Sequence, residues 1–317
     1  MSRVAVLKGG RSLERQVSLR SAARVEDALR RLGHDVTGID LGADVVERLR
    51  ALDPDVVFVA LHGRDGEDGT VQELLEVVGV PYTASGVSAC IRCADKVIAK
   101  HAMRDAGIPT PDFFAFNETA FKQLGAADAL PEMEQRLEFP IVVKPARGGS
   151  ALGIKFARTA ADVPAALVAA FSYDSKVVLE RHVHGRDLAV SVVELEDGPA
   201  ALPIVEAVPR EEDFYDFEAR YEIGRSEFVC PADLDEATVA RAHELALDVY
   251  RLLGCFAFAR IDLMLECDSG ELYVLETNAI PGLTETSLLP QAAEAAGLSF
   301  DALVERIVEL APQRSAA

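Results

Sequence analysis

Four polar residues near the carboxyl terminus have types and spacing that could build a metal-binding site. Arg260 and Asp262 interrupt a run that is apolar enough to be an internal strand, and Glu276 and Asn278 follow after a short turn. Side chains alternate along a strand, so Arg260 and Asp262 share one face. If residues 268–270 form a three-residue hairpin loop with its glycine in the left-handed conformation, Asp262 lies opposite Glu276 and Arg260 opposite Asn278. Two carboxylates and an amide would then suit Mg²⁺ or Mn²⁺, although a surface hairpin with scattered charges has the same pattern.

A glycine-rich loop upstream of this hairpin indicates phosphate binding. Residues 139–145 predict a strand that contains Lys144, and residues 146–153 form a loop before another strand. Glycines let backbone N–H groups approach phosphate oxygens, and Lys144, Arg147 and Lys155 supply positive charge. No Gly-Lys-Ser/Thr opens a helix, so this is not a Walker A motif, and the loop alone leaves nucleotide binding open.

The elements that must position these residues begin with alternating strands and helices. Periodicity predicts strands over residues 4–7, 35–39 and 56–60, and helices over residues 17–32 and 45–52. This order predicts a doubly wound α/β domain, whose ligands bind at the carboxyl ends of the strands. Residues 9–14 and 61–69 fall at that edge. Residues 9–14 are not a G-x-G-x-x-G fingerprint, so dinucleotide binding is weakly supported.

The rest of the chain predicts two further regions. One helix is predicted over residues 87–106, followed by a linker at residues 107–111. Residues 176–180 predict an edge strand, and residues 235–253 predict a core helix. The expected domains are residues 1–95, which bind substrate, residues 96–187, which carry the phosphate loop, and residues 188–317, which carry the metal site.

Composition limits the classes of partner. The chain has 317 residues, half of them hydrophobic, and a formal net charge of -20. Such an acidic chain has no general attraction for nucleic acid or anionic membranes. No signal-peptide apolar region and no run of transmembrane length are evident, which predicts a cytoplasmic protein.

The cysteines and one histidine pair offer weaker alternatives. Cys90 and Cys93 form a C-x-x-C, which could be a redox pair or half a zinc site, but no second pair lies at a suitable spacing. We predict reduced, structural thiols. The other three cysteines, including Cys255, are isolated in the sequence. His182 and His184 have the spacing of a metal pair, but polar packing is favoured.

Seven motifs follow one another along the chain, at residues 9–18, 61–72, 95–96, 143–145, 214–221, 260–262 and 276–284. In this order they resemble the motifs of the D-alanine:D-alanine ligase family of ATP-grasp enzymes. This resemblance implies a doubly wound amino-terminal domain followed by a two-part ATP-grasp fold. It also implies a homodimeric enzyme that uses ATP and two Mg²⁺ or Mn²⁺ ions to join two D-alanines through an acyl phosphate, for peptidoglycan synthesis.

The resemblance implies a role for each residue of the predicted site. The residues that bind the nucleotide would be Lys96, Lys144, Arg147, Gly149, Ser150, Glu180, Arg181, Val183 and Asp187. The metal ligands would be Asp262, Glu276 and Asn278. The catalytic residues would be Glu14, Ser150, Tyr221, Arg260 and Gly282. The remaining substrate-binding residues would be Val17, Ser18, His62, Tyr215, Arg220, Ser287 and Leu288.

Some positions depart from the family pattern or have plainer explanations. Asp187 stands where Glu is usual, and Arg220 stands where Lys is usual, which changes a point donor into a planar fork. Glu14 or Ser287 could simply cap a helix, and Asp187 could be a solvated turn residue.

Two alternative functions stay open at this point. One is a related ATP-grasp ligase that uses D-lactate or D-serine as acceptor. The other is a nucleotide-binding protein without ligase activity. Tyr221 favours the dipeptide product, because in the family Tyr at this place accompanies dipeptide formation and His accompanies the D-lactate ester.

Overall fold

The computed structural model describes residues 1–149, 151–209 and 226–313. These residues form three β-sheets. The first sheet is parallel and is formed by the amino-terminal part of the chain. Its strand order is β2-β1-β3. The middle strand is a continuous apolar run that is buried on both faces, as expected for a parallel sheet covered by helices. The doubly wound start predicted above is thus confirmed. Its elements are β1 (Arg3–Lys8), α1 (Arg15–Arg31), β2 (Asp35–Asp40), α2 (Val45–Leu52), β3 (Val56–Val59) and α3 (Thr70–Val78).

The second sheet is antiparallel, with the order β4-β7-β5-β6. The prediction that residues 176–180 form an edge strand is wrong, because β4 pairs along the outer side of β7 and places Phe113 opposite Glu180. Glu180 therefore lies on an interior strand and is buried. The elements are β4 (Phe113–Asn117), α6 (Glu118–Gln123), α7 (Leu130–Leu137), β5 (Ile141–Pro145), β6 (Lys155–Ala157), α8 (Val163–Phe171) and β7 (Lys176–Arg181).

The third sheet has six strands in the described chain, with the order β11-β10-β8-β12-β13 and with β9 paired to β8. Its central strands pack on the predicted core helix, which begins after the capping residue Asp235 and ends at Gly254 in the left-handed conformation. The strands are β8 (Gly185–Leu195), β9 (Gly198–Ala201), β10 (Val205–Pro209), β11 (Ser226–Val229), β12 (Phe258–Glu266) and β13 (Leu272–Asn278). The helices are Glu236–Leu253, Leu288–Ala295 and Phe300–Leu310.

The β12–β13 hairpin sets Asp262 opposite Glu276 and Arg260 opposite Asn278, as predicted. The route to this register differs from the prediction. The Glu266 N–H donates to the carbonyl of residue 271, so the loop spans residues 267–270, one residue longer than expected. A β-bulge just before Glu276 shifts the register back by one residue. The predicted pairing is therefore right, although the predicted loop length is wrong.

The single helix predicted over residues 87–106 is two helices, α4 (Val87–Ala94) and α5 (Lys96–Asp105). Asp95 breaks the run, because its backbone is extended and its carboxylate accepts the N–H groups of Val97 and Ile98. This capping interaction begins a new helix at Lys96. Along the parts of the chain described above, no helix is both long and apolar enough to cross a membrane.

Candidate active site

A cleft of about 690 Å³ collects residues from all three sheet regions. A small recess beside it lies under the glycine-rich loop and is bordered by Lys96, Lys144, Gly149 and Glu276. Residues that are far apart in the sequence thus converge on one continuous site. The predicted site residues along the cleft are Glu14, Lys96, Arg147, Gly149, Glu276 and Asn278.

Glu14 lines this cleft and is almost fully buried. It stands at the amino end of α1, but its side chain makes no capping hydrogen bond, so the plain capping explanation is wrong. Two glycines, Gly63 and Gly149, pack closely against its carboxylate. A Cβ at Gly149 would lie 3.1 Å from its Oε1 atom, and a Cβ at Gly63 would collide with its Oε2 atom. Only glycine fits at Gly63, where φ is also positive.

Ser18 ties together the loops that flank Glu14. Its Oγ atom donates to the Ala60 carbonyl at 2.6 Å and accepts the Gly9 N–H at 2.8 Å. Both partners lie just beyond the carboxyl ends of β1 and β3, where the sequence placed the binding edge. Val17, its neighbour on α1, is buried.

His62 is held between two polar groups. Its Nδ1 atom lies 3.2 Å from Glu67 Oε1, and its Nε2 atom lies 3.1 Å from Ser21 Oγ. Ser21 also accepts the N–H of Leu283 at 3.1 Å. His62 is therefore coupled through Ser21 to the loop that carries Gly282.

That loop folds tightly against Ser287. A Cβ at Gly282 would lie 2.7 Å from Ser287 Oγ, so a side chain at this position would displace the Ser287 hydroxyl. Ser287 precedes the helix Leu288–Ala295, but its side chain does not cap it. Its Oγ atom instead accepts the Thr284 N–H at 3.0 Å. The plain capping explanation is thus wrong for Ser287 as well, and Leu288 is buried beside it.

The two predicted metal carboxylates are each paired with a cation. Arg260 binds Asp262 through two contacts, Nε to Oδ1 at 2.6 Å and Nη2 to Oδ2 at 2.8 Å. Asn278 Nδ2 donates to Asp262 Oδ2 at 3.2 Å. Lys96 Nζ lies 3.2 Å from Glu276 Oε2 and donates to the Gly148 carbonyl at 2.7 Å. Each predicted carboxylate ligand therefore has a cation within ion-pair distance.

The donor set fits a hard cation. Within the described ranges, no three His, Cys, Asp or Glu side chains gather into a metal site. The predicted set offers two carboxylates and one amide oxygen instead. Mg²⁺ is commonly bound in proteins by one or two carboxylates together with the phosphates of a substrate, so a phosphate-bearing ligand could complete the coordination.

Lys144 and Lys100 share one buried carboxylate. Lys144 Nζ lies 2.8 Å from Glu180 Oε1, and Lys100 Nζ lies 2.7 Å from Glu180 Oε2. Burial acts to raise the pKa of Glu180, but the two ammonium groups outweigh it and hold that pKa below its usual value. Burial lowers the pKa of Lys100 to about 8. The structure thus contains a charged cluster directly beneath the recess.

The other predicted nucleotide residues each have partners or positions of their own. Arg147 is paired with Asp174, with Nη2 to Oδ1 at 3.1 Å. Arg181 pairs with Glu266 at 2.8 Å, and its guanidinium group lies over the ring of Tyr273. Val183 is buried. Asp187 lies inside β8 and is half-buried, so it is not a solvated turn residue.

Sequence reasoning missed three residues that contact this site. Lys100 follows Lys96 by four positions on α5, and this one-turn spacing was the available signal. Ser21 follows Ser18 by three positions on α1, so the same signal applied. Asp174 lies in a loop, and nothing in the local pattern indicates its pairing with Arg147.

Several predicted residues fall outside the part of the chain that the structure describes. These residues are Ser150, Tyr215, Arg220 and Tyr221.

Cys90 and Cys93 are free and buried, which agrees with the prediction of reduced, structural thiols. All five cysteines are free, and His182 packs edge-on against Phe156 at 5.6 Å. Cys255 is isolated in the sequence but not in the fold, because its Sγ atom lies 3.6 Å from that of Cys93. The chain brings these two thiols together over 162 positions, which no local pattern could indicate.

The second sheet contributes Lys144 and the glycine-rich loop, and the third sheet contributes the carboxylates of Asp262 and Glu276. This combination is typical of the ATP-grasp class of enzymes. Comparison with known proteins narrows this class. Residues 45–85 match the family model described as D-ala D-ala ligase N-terminus, and residues 102–309 match D-ala D-ala ligase C-terminus. The chain therefore belongs to the D-alanine–D-alanine ligase family.

Individual relatives extend this match over nearly the whole chain. The D-alanine–D-alanine ligase of Syntrophotalea carbinolica is 44% identical, with 96% of this chain and 95% of the relative covered. That of Moorella thermoacetica is 42% identical, with 98% and 99% covered. The crystal structure of the Bacillus anthracis ligase aligns with a TM-score of 0.85 at 33% identity, and its complex with ATP aligns with 0.82 at 31%; each covers 99% of this chain and 98% of the other.

Proposed function

We propose that the protein joins two D-alanines into D-alanyl-D-alanine at the expense of ATP, for peptidoglycan synthesis, and that the converging residues of the cleft perform the reaction. The observation that carries this proposal is the hairpin that sets Arg260 and Asp262 opposite Asn278 and Glu276, in a chain that matches the ligase family over almost its full length. The γ-phosphoryl group of ATP passes to a carboxylate oxygen of the first D-alanine. ADP leaves, and an acyl phosphate forms.

Phosphoryl transfer requires positioning and charge neutralisation more than covalent chemistry. Lys96 and Lys144 border the recess and would contact the phosphates under the loop of Arg147 and Gly149. Glu180, Arg181, Val183 and Asp187 would bind the adenosine part.

The second step makes the peptide bond. The amine of the second D-alanine attacks the carbonyl carbon, phosphate leaves with the former carboxylate oxygen, and the nitrogen loses a proton. Glu14 would hold the ammonium group of the first D-alanine, with His62, Val17 and Ser18 around it. Arg260 and the Gly282 N–H would stabilise the developing oxyanion. Ser287 and Leu288 would receive the second carboxylate.

The metal ligands would be Asp262, Glu276 and Asn278, which offer the oxygen atoms that Mg²⁺ and Mn²⁺ prefer. Two bound ions would neutralise phosphate charge. Both carboxylates already have cationic partners, Arg260 and Lys96. Metal binding would therefore compete with these ion pairs.

Lys96→Met should increase the affinity of the nucleotide-free protein for Mn²⁺ about tenfold, which corresponds to about 1.4 kcal/mol. The reason is that the ammonium group 3.2 Å from Glu276 repels an arriving cation. Titration of Mn²⁺ followed by electron paramagnetic resonance measures this without any turnover. Lys122→Met, which removes an exposed lysine paired with Glu118, is the control and should change nothing. Unchanged or weaker Mn²⁺ binding by Lys96→Met would contradict the metal assignment of Glu276.

Ser150, Tyr215, Arg220 and Tyr221 lie outside the described residues, and their roles rest on the family motif. Ser150 and Tyr221 would hydrogen-bond in a network that closes on Glu14, and Tyr215 and Arg220 would contact substrate. Tyr221 is also the residue that bears on the choice of acceptor. A neutral phenol makes no demand for an acceptor without an ammonium group, whereas an imidazole can become cationic.

With D-alanine and D-lactate supplied equally near pH 7, the dipeptide should dominate. Tyr221→His should raise the ester fraction and lower total activity. Mass spectrometry of the products, with D-serine as a third acceptor, measures both effects. Mostly D-alanyl-D-lactate from the unaltered enzyme would move the assignment to a ligase with a different acceptor.

Three further proposals concern organisation. The first two sheets lie within residues 1–95 and 96–187. The third sheet begins at Gly185, three residues before the expected range 188–317, so the sheets support these domains with the second boundary moved to about residue 184. We expect a homodimer, as the family resemblance implies. We also expect a cytoplasmic location, where ATP and free D-alanine are available.

A further inference from the structure

The helix α5 carries a second lysine, Lys100, one turn after Lys96. Lys96 borders the cleft, whereas the side chain of Lys100 is fully buried, with no exposed surface. A fully buried lysine is rare, because an ammonium group loses its hydration on burial. A buried ammonium group is stable only when a partner compensates for its lost hydration, so the partner of Lys100 indicates what the lysine does.

The partner of Lys100 is the carboxylate that Lys144 also contacts. Glu180 receives one ammonium group at each oxygen, Lys100 at 2.7 Å from Oε2 and Lys144 at 2.8 Å from Oε1. Lys144 borders the recess under the glycine-rich loop, together with Lys96 and Glu276. When a phosphate occupies the recess, Lys144 therefore has two anionic neighbours, the phosphate and Glu180.

The cluster has a surplus charge. Two ammonium groups and one carboxylate leave one positive charge in excess. Burial and the charge of Lys144 lower the pKa of Lys100, whereas Glu180 and Asp112 act to raise it. A phosphate in the recess would add negative charge beside Lys144 and would be attracted by its ammonium group.

We propose that Lys100 is a positioning residue of the nucleotide site: it neutralises Glu180 whether or not a phosphate is bound, so that Lys144 is available to the phosphates of ATP. This inference rests on the proposed function, in which Lys144 contacts phosphate. If Lys144 were the only cation beside Glu180, its movement towards a phosphate would leave a buried carboxylate without a counter-ion. Breaking a buried ion pair in this way is strongly unfavourable. With Lys100 present, the carboxylate keeps one partner throughout.

Other contacts fix Lys100 in this place. Its ammonium group donates to Thr110 Oγ1, and Thr110 in turn donates to the Val274 carbonyl at 2.8 Å. The ring of Phe113 lies 5.2 Å from the Lys100 nitrogen, which adds a cation–π contact. Val274 lies on β13, the strand that carries Glu276. Lys100 is thus held by the linker and by the third sheet, and it does not depend on the glycine-rich loop.

The test compares ADP with adenosine as ligands of Lys100→Met, by calorimetry in one buffer. Without Lys100, Glu180 retains Lys144, so the dissociation constant of ADP should rise at least tenfold. That of adenosine should change less than threefold, because it has no phosphate. Lys8→Met is the matched control: Lys8 forms a partly buried ion pair with Glu26, outside the cleft. It should leave both dissociation constants unchanged.

A double variant separates positioning from general damage. In Lys100→Met/Glu180→Gln, no carboxylate remains to retain Lys144, so ADP should bind within threefold of Glu180→Gln alone. In the double variant no carboxylate is left buried at position 180, so this protein should fold even if Lys100→Met does not. The comparison with Glu180→Gln then tests the proposal without the single variant. Unchanged ADP binding by Lys100→Met, an equal loss for adenosine, or a double variant that binds ADP much more weakly than Glu180→Gln would each overturn the inference. If the unaltered protein binds no ADP, the proposed function fails instead.

Discussion

Glu276→Gln is expected to lower kcat at least about 100-fold with the fold intact. A glutamine has the same shape but no charge, so it weakens a metal ligand, and metal ions supply several kcal/mol of transition-state stabilisation. Each 1.4 kcal/mol corresponds to about tenfold in rate. Steady-state phosphate release at saturating ATP and Mg²⁺ measures the change, and circular dichroism checks the fold.

The matched control is Glu271→Gln, an exposed glutamate next to the start of the same strand. It should leave kcat unchanged. Near-normal turnover by Glu276→Gln at saturating Mg²⁺ would remove Glu276 from the metal site.

Arg260→Lys should lower kcat about 100-fold to 1,000-fold, the usual effect of removing one oxyanion donor. Lysine keeps the charge but loses the planar fork, and with it the two contacts that orient the side chain against Asp262. We expect the Michaelis constant for ATP to change little, because the loss falls on the ligation step. Initial rates with ATP and D-alanine varied separately give these constants.

Arg251→Lys is the control for this exchange, because Arg251 is exposed on the helix Glu236–Leu253. A large rise in the Michaelis constant for ATP with unchanged kcat in Arg260→Lys would reassign Arg260 to the nucleotide.

The pairing of Asp262 with Glu276 shows what local sequence can and cannot predict. Strand alternation and a turn glycine were sufficient to place both carboxylates on one face. The loop length and the bulge were both missed, and the two deviations cancel at the site. A bulge depends on how two strands twist against each other, and a single-strand pattern does not contain that information.

Long-range pairings account for the other differences. The position of β7 depends on β4, which lies about 60 residues earlier in the chain and pairs with it only in the folded sheet. Lys100 reads locally as an ordinary charged residue on an amphipathic helix. Its partner Glu180 is 80 positions away, so the cluster exists only after α5 has packed against the second sheet. Asp95, by contrast, breaks its helix through bonds to the next residues, a signal that the sequence did contain.

The acyl phosphate is the central chemical claim, and the fate of one oxygen atom tests it most directly. D-alanine labelled with heavy oxygen in its carboxylate is incubated with ATP and Mg²⁺, and the released phosphate is analysed by mass spectrometry. If the carboxylate attacks the γ-phosphorus, each phosphate released with a dipeptide carries one heavy oxygen from the donor. Dipeptide formed with unlabelled phosphate would contradict the account, because the carboxylate oxygen would then have left by another route.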